Sequence, residues 1–149
     1  MSMMQRSLRS RPRHGFTLIE LLVVLAILGL LASLSWNGYR QHVTRSRRAE
    51  GRAAVLQVLL QQERHHARQH RYRVFAPSAG ETEFRWFSGA SERTSAYRIE
   101  ATACPDTTDL SMCVQVTATP RAETFIDTRC GALSADTMGR RTPAGNGCW

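Results

Sequence analysis

Between Arg13 and Trp36 the sequence RHGFTLIELLVVLAILGLLASLSW is a continuous apolar run broken by one acid, Glu20. No other feature restricts the possible folds so strongly. A run of about twenty helical residues crosses the hydrocarbon core of a bilayer. Four arginines, Arg6, Arg9, Arg11 and Arg13, precede it with no acid among them, which predicts an N-terminus in the cytoplasm and the rest of the chain outside. An ionised carboxylate within such a helix costs a few kcal/mol even on insertion-based scales, so Glu20 needs a cation. No Arg, Lys or His lies between Phe16 and Trp36. A cut between Gly15 and Phe16 would create an α-amino group one helical turn from Glu20, and that amine is the partner the residues point to.

Two plainer readings compete. Ser33-Leu34-Ser35 is a small-residue tripeptide at which a signal peptidase could cut before Trp36, and a simple signal anchor needs only the apolar length. Neither accounts for Glu20. The 149 residues leave room for one modest domain beyond the run. Of 20 basic side chains, all arginine, four lie in the leader, so the remainder is only mildly basic against 12 acids. The cysteines, Cys104, Cys113, Cys130 and Cys148, all follow the targeting segment, and their even number reads as two disulfides in an oxidising compartment. Three pairings are possible. Cys104 with Cys113 and Cys130 with Cys148 is the preferred set, because each closes a local loop. A zinc site lacks the short ligand spacing it needs, and the histidines lie far upstream.

After Trp36, the residues Ala49, Ala53, Leu56, Leu60 and Ala67 recur at helical spacing, with Arg47, Arg48, Gln57 and Gln61 largely off that stripe. The pattern predicts an amphipathic helix whose apolar stripe covers a sheet, with Asn37-Gly38 as an interruption of poor helix formers. Helical pattern is lost between Tyr72 and Ser95, where Pro77, Gly80 and Gly89 mark a connection. Alternation in YRIEATA (Tyr97 to Ala103) and CVQVTAT (Cys113 to Thr119) predicts a hairpin clipped by Cys104 and Cys113. A third strand is expected near Cys130 to Ala135, before the turn-prone Asp136-Thr137-Met138-Gly139.

The segment GFTLIELLVVLAILGLLA resembles the N-terminal signature of type IV pilins and their pseudopilin relatives, with Gly15, Phe16, Thr17 and Glu20 carrying the match. The resemblance implies that a prepilin peptidase cuts after Gly15 and methylates Phe16, leaving the apolar helix attached. It implies too that Glu20 attracts the terminal amine of a neighbouring subunit during assembly. The ending CGALSADTMGRRTPAGNGCW is similar to the disulfide-bounded C-terminal region of PilE-like pilins, through Cys130, Gly139, Cys148 and Trp149. The implied fold is α+β: a long N-terminal α-helix packed on a small antiparallel β-sheet with a disulfide-bounded C-terminal region. Its expected parts are a leader over 1–15, a membrane and filament-core helix over 16–36, an amphipathic helix over 37–72, and a β head over 73–149 with the disulfide region at 130–148.

Other chemistry is sparse. His66 and His70 stand at i and i+4, but no third ligand is evident and Arg64, Arg68 and Arg71 would repel a cation. No nucleophile elbow, phosphate loop or zincin motif occurs, so neither an enzyme nor a metal or cofactor is expected. Nucleic-acid binding carries more weight: Arg140, Arg141, Arg85 and Trp86, with the arginines between Arg64 and Arg73, supply charge and stacking surfaces. The expected function is a structural subunit of a type IV pilus, with a minor role favoured over a major one. A DNA-binding pilin for DNA uptake and a type II secretion pseudopilin are the alternatives. The expected partners are other pilin subunits, the prepilin peptidase, the inner-membrane assembly machinery and the membrane itself, with DNA under the first alternative. The expected location is the bacterial inner membrane before assembly and the extracellular pilus afterwards.

Overall fold

The computed structural model describes residues 15–145 and 147–149. The predicted leader therefore lies, apart from Gly15, outside the described residues. The elements in chain order are α1 (Leu18–Gln69), β1 (Tyr97–Ala103), β2 (Val114–Pro120), β3 (Leu133–Asp136) and β4 (Arg141–Thr142). The chain divides into an N-terminal unit ending at Tyr39 and a head unit from Arg40 to Trp149.

The N-terminal unit is the first part of α1. Its apolar window has a mean hydropathy of 2.5 and none of it is buried, so it is long and apolar enough to cross a membrane. Helix continues through Asn37 and Gly38, so these poor helix formers do not break the long helix. Their low propensities cost about 1 kcal/mol or less each, and the favourable residues on either side outweigh that. The helix ends at Gln69 rather than at Tyr72. His70 takes a left-handed conformation, φ 56°, and its N–H still bonds the His66 carbonyl at 2.8 Å, which is how an αL residue closes a helix. The Tyr72 N–H is then taken by the Leu110 carbonyl at 2.7 Å.

In the head unit, β1 to β4 form one antiparallel meander in the order β1-β2-β3-β4. Strand periodicity puts Tyr97, Ile99 and Ala101 of β1 and Val114, Val116 and Ala118 of β2 on one buried face. There they join Ala54, Val55 and Val58 of α1 and Leu133 of β3 in a single core. Each fully buried Val, Leu or Ile contributes roughly 1.5–3 kcal/mol. Gly51 lets the helix approach the sheet closely, since a Cβ there would lie 2.9 Å from two Tyr97 ring carbons.

The apolar stripe predicted on Ala49, Ala53, Leu56, Leu60 and Ala67 is instead the exposed side of α1: Leu56 is 47% and Leu60 52% exposed. The face turned to the sheet is Arg48, Gly51, Ala54, Val55, Val58 and Gln62. Two polar residues on it are satisfied at depth, which hydropathy cannot anticipate. Arg48 bonds Asp127, while Gln62 donates to the Arg73 carbonyl at 2.6 Å and accepts the Arg73 N–H at 2.9 Å.

The connection between Tyr72 and Ser95 pairs with the outer edge of β1. Phe75 exchanges both backbone bonds with Ala101 at 3.0 Å, the Ile99 N–H reaches the Trp86 carbonyl at 2.8 Å, and the Ser88 N–H reaches the Tyr97 carbonyl at 3.1 Å. These bonds close an edge that would otherwise recruit another strand. Disulfides join Cys104 to Cys113 and Cys130 to Cys148. The first follows the Ala103–Val114 pair in register and clips the hairpin. The third strand starts at Leu133, later than predicted, because Gly131 is still in a turn at φ 59°. At its other end Asp136 accepts the N–H groups of Met138 and Arg140, at 3.0 and 2.9 Å, forming the turn into β4 that Gly139, φ 85°, completes.

Candidate functional site

At the N-terminal end Gly15 and Phe16 precede the helix, and Phe16 is 84% exposed. Thr17 is the cap: its Oγ1 accepts the Glu20 N–H at 3.3 Å, and its carbonyl accepts the Leu21 N–H at 3.2 Å. Thr-x-x-Glu is the capping-box spacing, a signal that was legible in Thr17-Leu18-Ile19-Glu20 and that reading Glu20 only as an intersubunit charge passed over. Such a cap stabilises a helix start by about 1 kcal/mol, and a carboxylate in the first turn is favoured by the helix dipole. Glu20 thus has a local reason to follow Thr17, while its exposed carboxylate stays available one turn from Phe16.

In the head, α1 is tied to the C-terminal region by a buried polar knot. Arg48 donates through Nε to Asp127 Oδ2 and through Nη2 to Oδ1, both at 2.6 Å. The same carboxylate accepts the Tyr97 hydroxyl at 3.2 Å, the Cys130 N–H at 3.0 Å and the Arg129 N–H at 3.1 Å. Burial pushes the Asp127 pKa up, but the Arg48 guanidinium and the N–H groups of Cys130 and Arg129 outweigh it and bring it down to about 2. Burial, followed by Asp127, pushes the Tyr97 phenol well up. The sequence held no short-range sign of this knot, whose members come from α1, β1 and the loop before Cys130.

The residues nominated for nucleic-acid contact do not form one surface. Trp86 is 8% exposed and belongs to the core with Phe84, so neither ring can stack on a base without unfolding the head. Arg85 spends its donors internally, on Gln57 Oε1 and the Phe87 carbonyl, both at 2.9 Å, and on the Gly89 carbonyl. Arg140 is paired with Asp136 at 2.6 Å and with Asp106. Arg141 is exposed, its guanidinium 5.4 Å from the centre of the Trp149 ring. Arg64, Arg68 and Arg71 differ from these: all three are exposed near the end of α1, and among the described residues none forms a salt bridge. His66 is turned to the Ser111 carbonyl at 3.0 Å and stacks on Tyr72, so it is engaged away from any ion shared with His70. Cys104, Cys113 and Asp136 lie close enough to suggest a metal set, but the two sulfurs are joined to each other and so are not thiolate ligands.

The family model described as "Type IV minor pilin ComP, DNA uptake sequence receptor" matches residues 38–134. The one described as "Prokaryotic N-terminal methylation motif" matches residues 10–36. The type IV major pilin protein PilA of Myxococcus xanthus is 31% identical over 96 residues, which are 64% of this chain and 41% of that protein. A type IV major fimbrial protein FimA of Dichelobacter nodosus is 51% identical over 39 residues, 26% of this chain and 24% of the relative. The chain thus spans less than half the length of these relatives. A solved type IV pilin from Shewanella oneidensis aligns with a TM-score of 0.47 at 24% identity, covering 71% of this chain and 97% of that one.

Proposed function

The chain belongs to the type IV minor pilin family, and from that premise we propose that it is cut after Gly15, methylated on Phe16 and built into a pilus as a minor structural subunit. The reading is carried by the adjacency of two matches, the methylation motif ending at residue 36 and the minor-pilin match beginning at 38, on one helix that runs through the junction. Before assembly the apolar segment holds the subunit in the inner membrane with its N-terminus inside. During assembly the Phe16 amine of one subunit is drawn to the Glu20 carboxylate of the next. In a low-dielectric helix bundle an unpaired carboxylate is costly, so this pairing favours one axial register.

Shearing fibres from the native cell and sequencing this protein's N-terminus by mass spectrometry tests the reading. Methylated Phe16 in the fibre fraction is the expected result. Breaking a buried ion pair costs about 3–5 kcal/mol, so Glu20→Ala is expected to lower recovery in fibres at least about tenfold with the membrane-bound pool retained. An N-terminus at Trp36, or a soluble protein missing from fibres, overturns the proposal.

A second reading, DNA capture by the assembled subunit, is supported by the description of the matched family and by the exposed Arg64, Arg68 and Arg71. With Trp86 in the core, this reading relies on phosphate contacts rather than on base stacking. Replacing the three arginines by glutamine is expected to weaken duplex binding across sequences and to reduce the log–log salt slope by about 3. An unchanged slope removes these residues from any DNA interface.

A further inference from the structure

No acid occurs between Glu20 and Glu50, an interval that holds Arg40, Arg45, Arg47 and Arg48. Two of these charges are answered inside the head, Arg47 by Glu50 at 3.1 Å and Arg48 by Asp127 at 2.6 Å. Arg40 and Arg45 are exposed, and among the described residues their guanidinium groups have no partner. Both line a cleft of about 310 Å³ whose other walls are Gln41, Thr44, Arg48 and Arg129. Gln41, Thr44, Arg45 and Arg48 share one helix face by their spacing of three and four. The Asp127 carboxylate is fully covered and already accepts bonds from Arg48, Tyr97, Arg129 and Cys130, so it does not neutralise Arg40 or Arg45.

Arg40 is only four residues past Trp36, and four residues reach at most about 14 Å even when fully extended, so the chain itself tethers the cleft near the bilayer surface. Lipid head groups fill a layer of roughly 5–8 Å on each side of the hydrocarbon core. Arginines just beyond the outer end of a span also run against the usual placement of positive charge, and a local anion removes that conflict. We propose that this cleft binds the phosphate head group of an anionic phospholipid while the subunit is held in the membrane, with Arg40 and Arg45 as the contacting cations and Gln41 and Thr44 as hydrogen-bonding neighbours. At about 30 Å³ per water molecule the cleft holds roughly ten waters, room for a phosphate group together with its glycerol neighbour.

The proposal rests on the membrane stage of the proposed function but not on fibre formation. Native mass spectrometry of the full chain in detergent, titrated with phosphatidylglycerol or phosphatidylcholine, reads it directly. Arg40 and Arg45 together contribute enough near an anionic lipid surface for phosphatidylglycerol to be retained about tenfold or more over phosphatidylcholine. In Arg40→Gln/Arg45→Gln that preference is expected to vanish with the thermal melt of the head unchanged. Equal retention of both lipids by the wild type overturns the proposal. So does displacement of phosphatidylglycerol by millimolar inorganic phosphate, which would mark a free-phosphate site, or by duplex DNA at matched phosphate concentration. Recovery of the wild type in sheared fibres is scored separately: its absence from fibres bears on the pilus reading, while a missing lipid preference bears on the cleft alone.

Discussion

Alanine at Asp127 is expected to destabilise the head by about 3–5 kcal/mol, because it leaves the Arg48 guanidinium buried and unpaired. The carboxylate also orients the Tyr97 hydroxyl and the N–H groups of Cys130 and Arg129, so, with the two from Arg48, five donor groups on four residues lose their acceptor together. Urea denaturation of the full chain in detergent, followed by a near-ultraviolet signal, measures the loss. The double change Arg48→Met/Asp127→Asn serves as the control: it removes the buried charges while an amide oxygen can still accept the N–H groups of Cys130 and Arg129, so it should cost less than alanine at Asp127 alone. A single-mutant loss below about 1 kcal/mol would sink the assignment of Asp127 as the anchor of the helix. Acid gives an independent reading. The Asp127 pKa is lowered to about 2 from its ordinary value of 3.8, so its contribution is full above about pH 4 and is lost as pH falls through 2. That contribution amounts to about 2 kcal/mol, and Asp127→Ala should remove this part of the acid sensitivity.

Serine at both Cys130 and Cys148 is expected to cost about 3 kcal/mol, the chain-entropy value for a loop of this size; the bridge spans 18 residues. Both cysteines are buried, so the new hydroxyls add a desolvation penalty to the entropic loss. The same change in Cys104 and Cys113, which span 9 residues, should cost somewhat less. The Cys130 bridge also holds one of the N–H groups that Asp127 accepts, so the two sites should couple. A cycle combining Asp127→Ala with the Cys130/Cys148 pair is expected to be non-additive by at least about 0.5 kcal/mol. Additivity within error would show that the knot and the bridge act separately.

The features that were legible in the sequence are those set by near neighbours. An apolar run of spanning length and the alternation of Tyr97–Ala103 and Cys113–Thr119 depend on residues a few positions apart, so the long helix and the hairpin could be read directly. The buried face of α1 could not. Arg48 and Gln62 are the residues hydropathy assigns to water, and their partners Asp127 and Arg73 lie 79 and 11 positions away. Leu56 and Leu60 drew the predicted stripe to the opposite side for the same reason. Trp86 misled in a related way: the adjoining Arg85 suggested a stacking platform, whereas the backbone bond from Ile99 to the Trp86 carbonyl places the ring against the core. Arg140 looked like free charge until the turn brought Asp136 and Asp106 to it. The capping role of Thr17 was within reach, since its whole signal is four residues long.

The two sides of α1 in the head would respond differently to a pulling force. Arg48 and Gln62 hold the sheet through bonds with fixed lengths and directions, and such bonds resist rotation and sliding until they rupture together. Ala49, Ala53, Leu56 and Leu60 are exposed, and any surface packed on them would add contact area alone, which is direction-free and reforms after a small slip. A helix built this way is clamped on one side only, so a neighbour packed on its exposed side could slip under axial strain while the sheet keeps its seat on the helix.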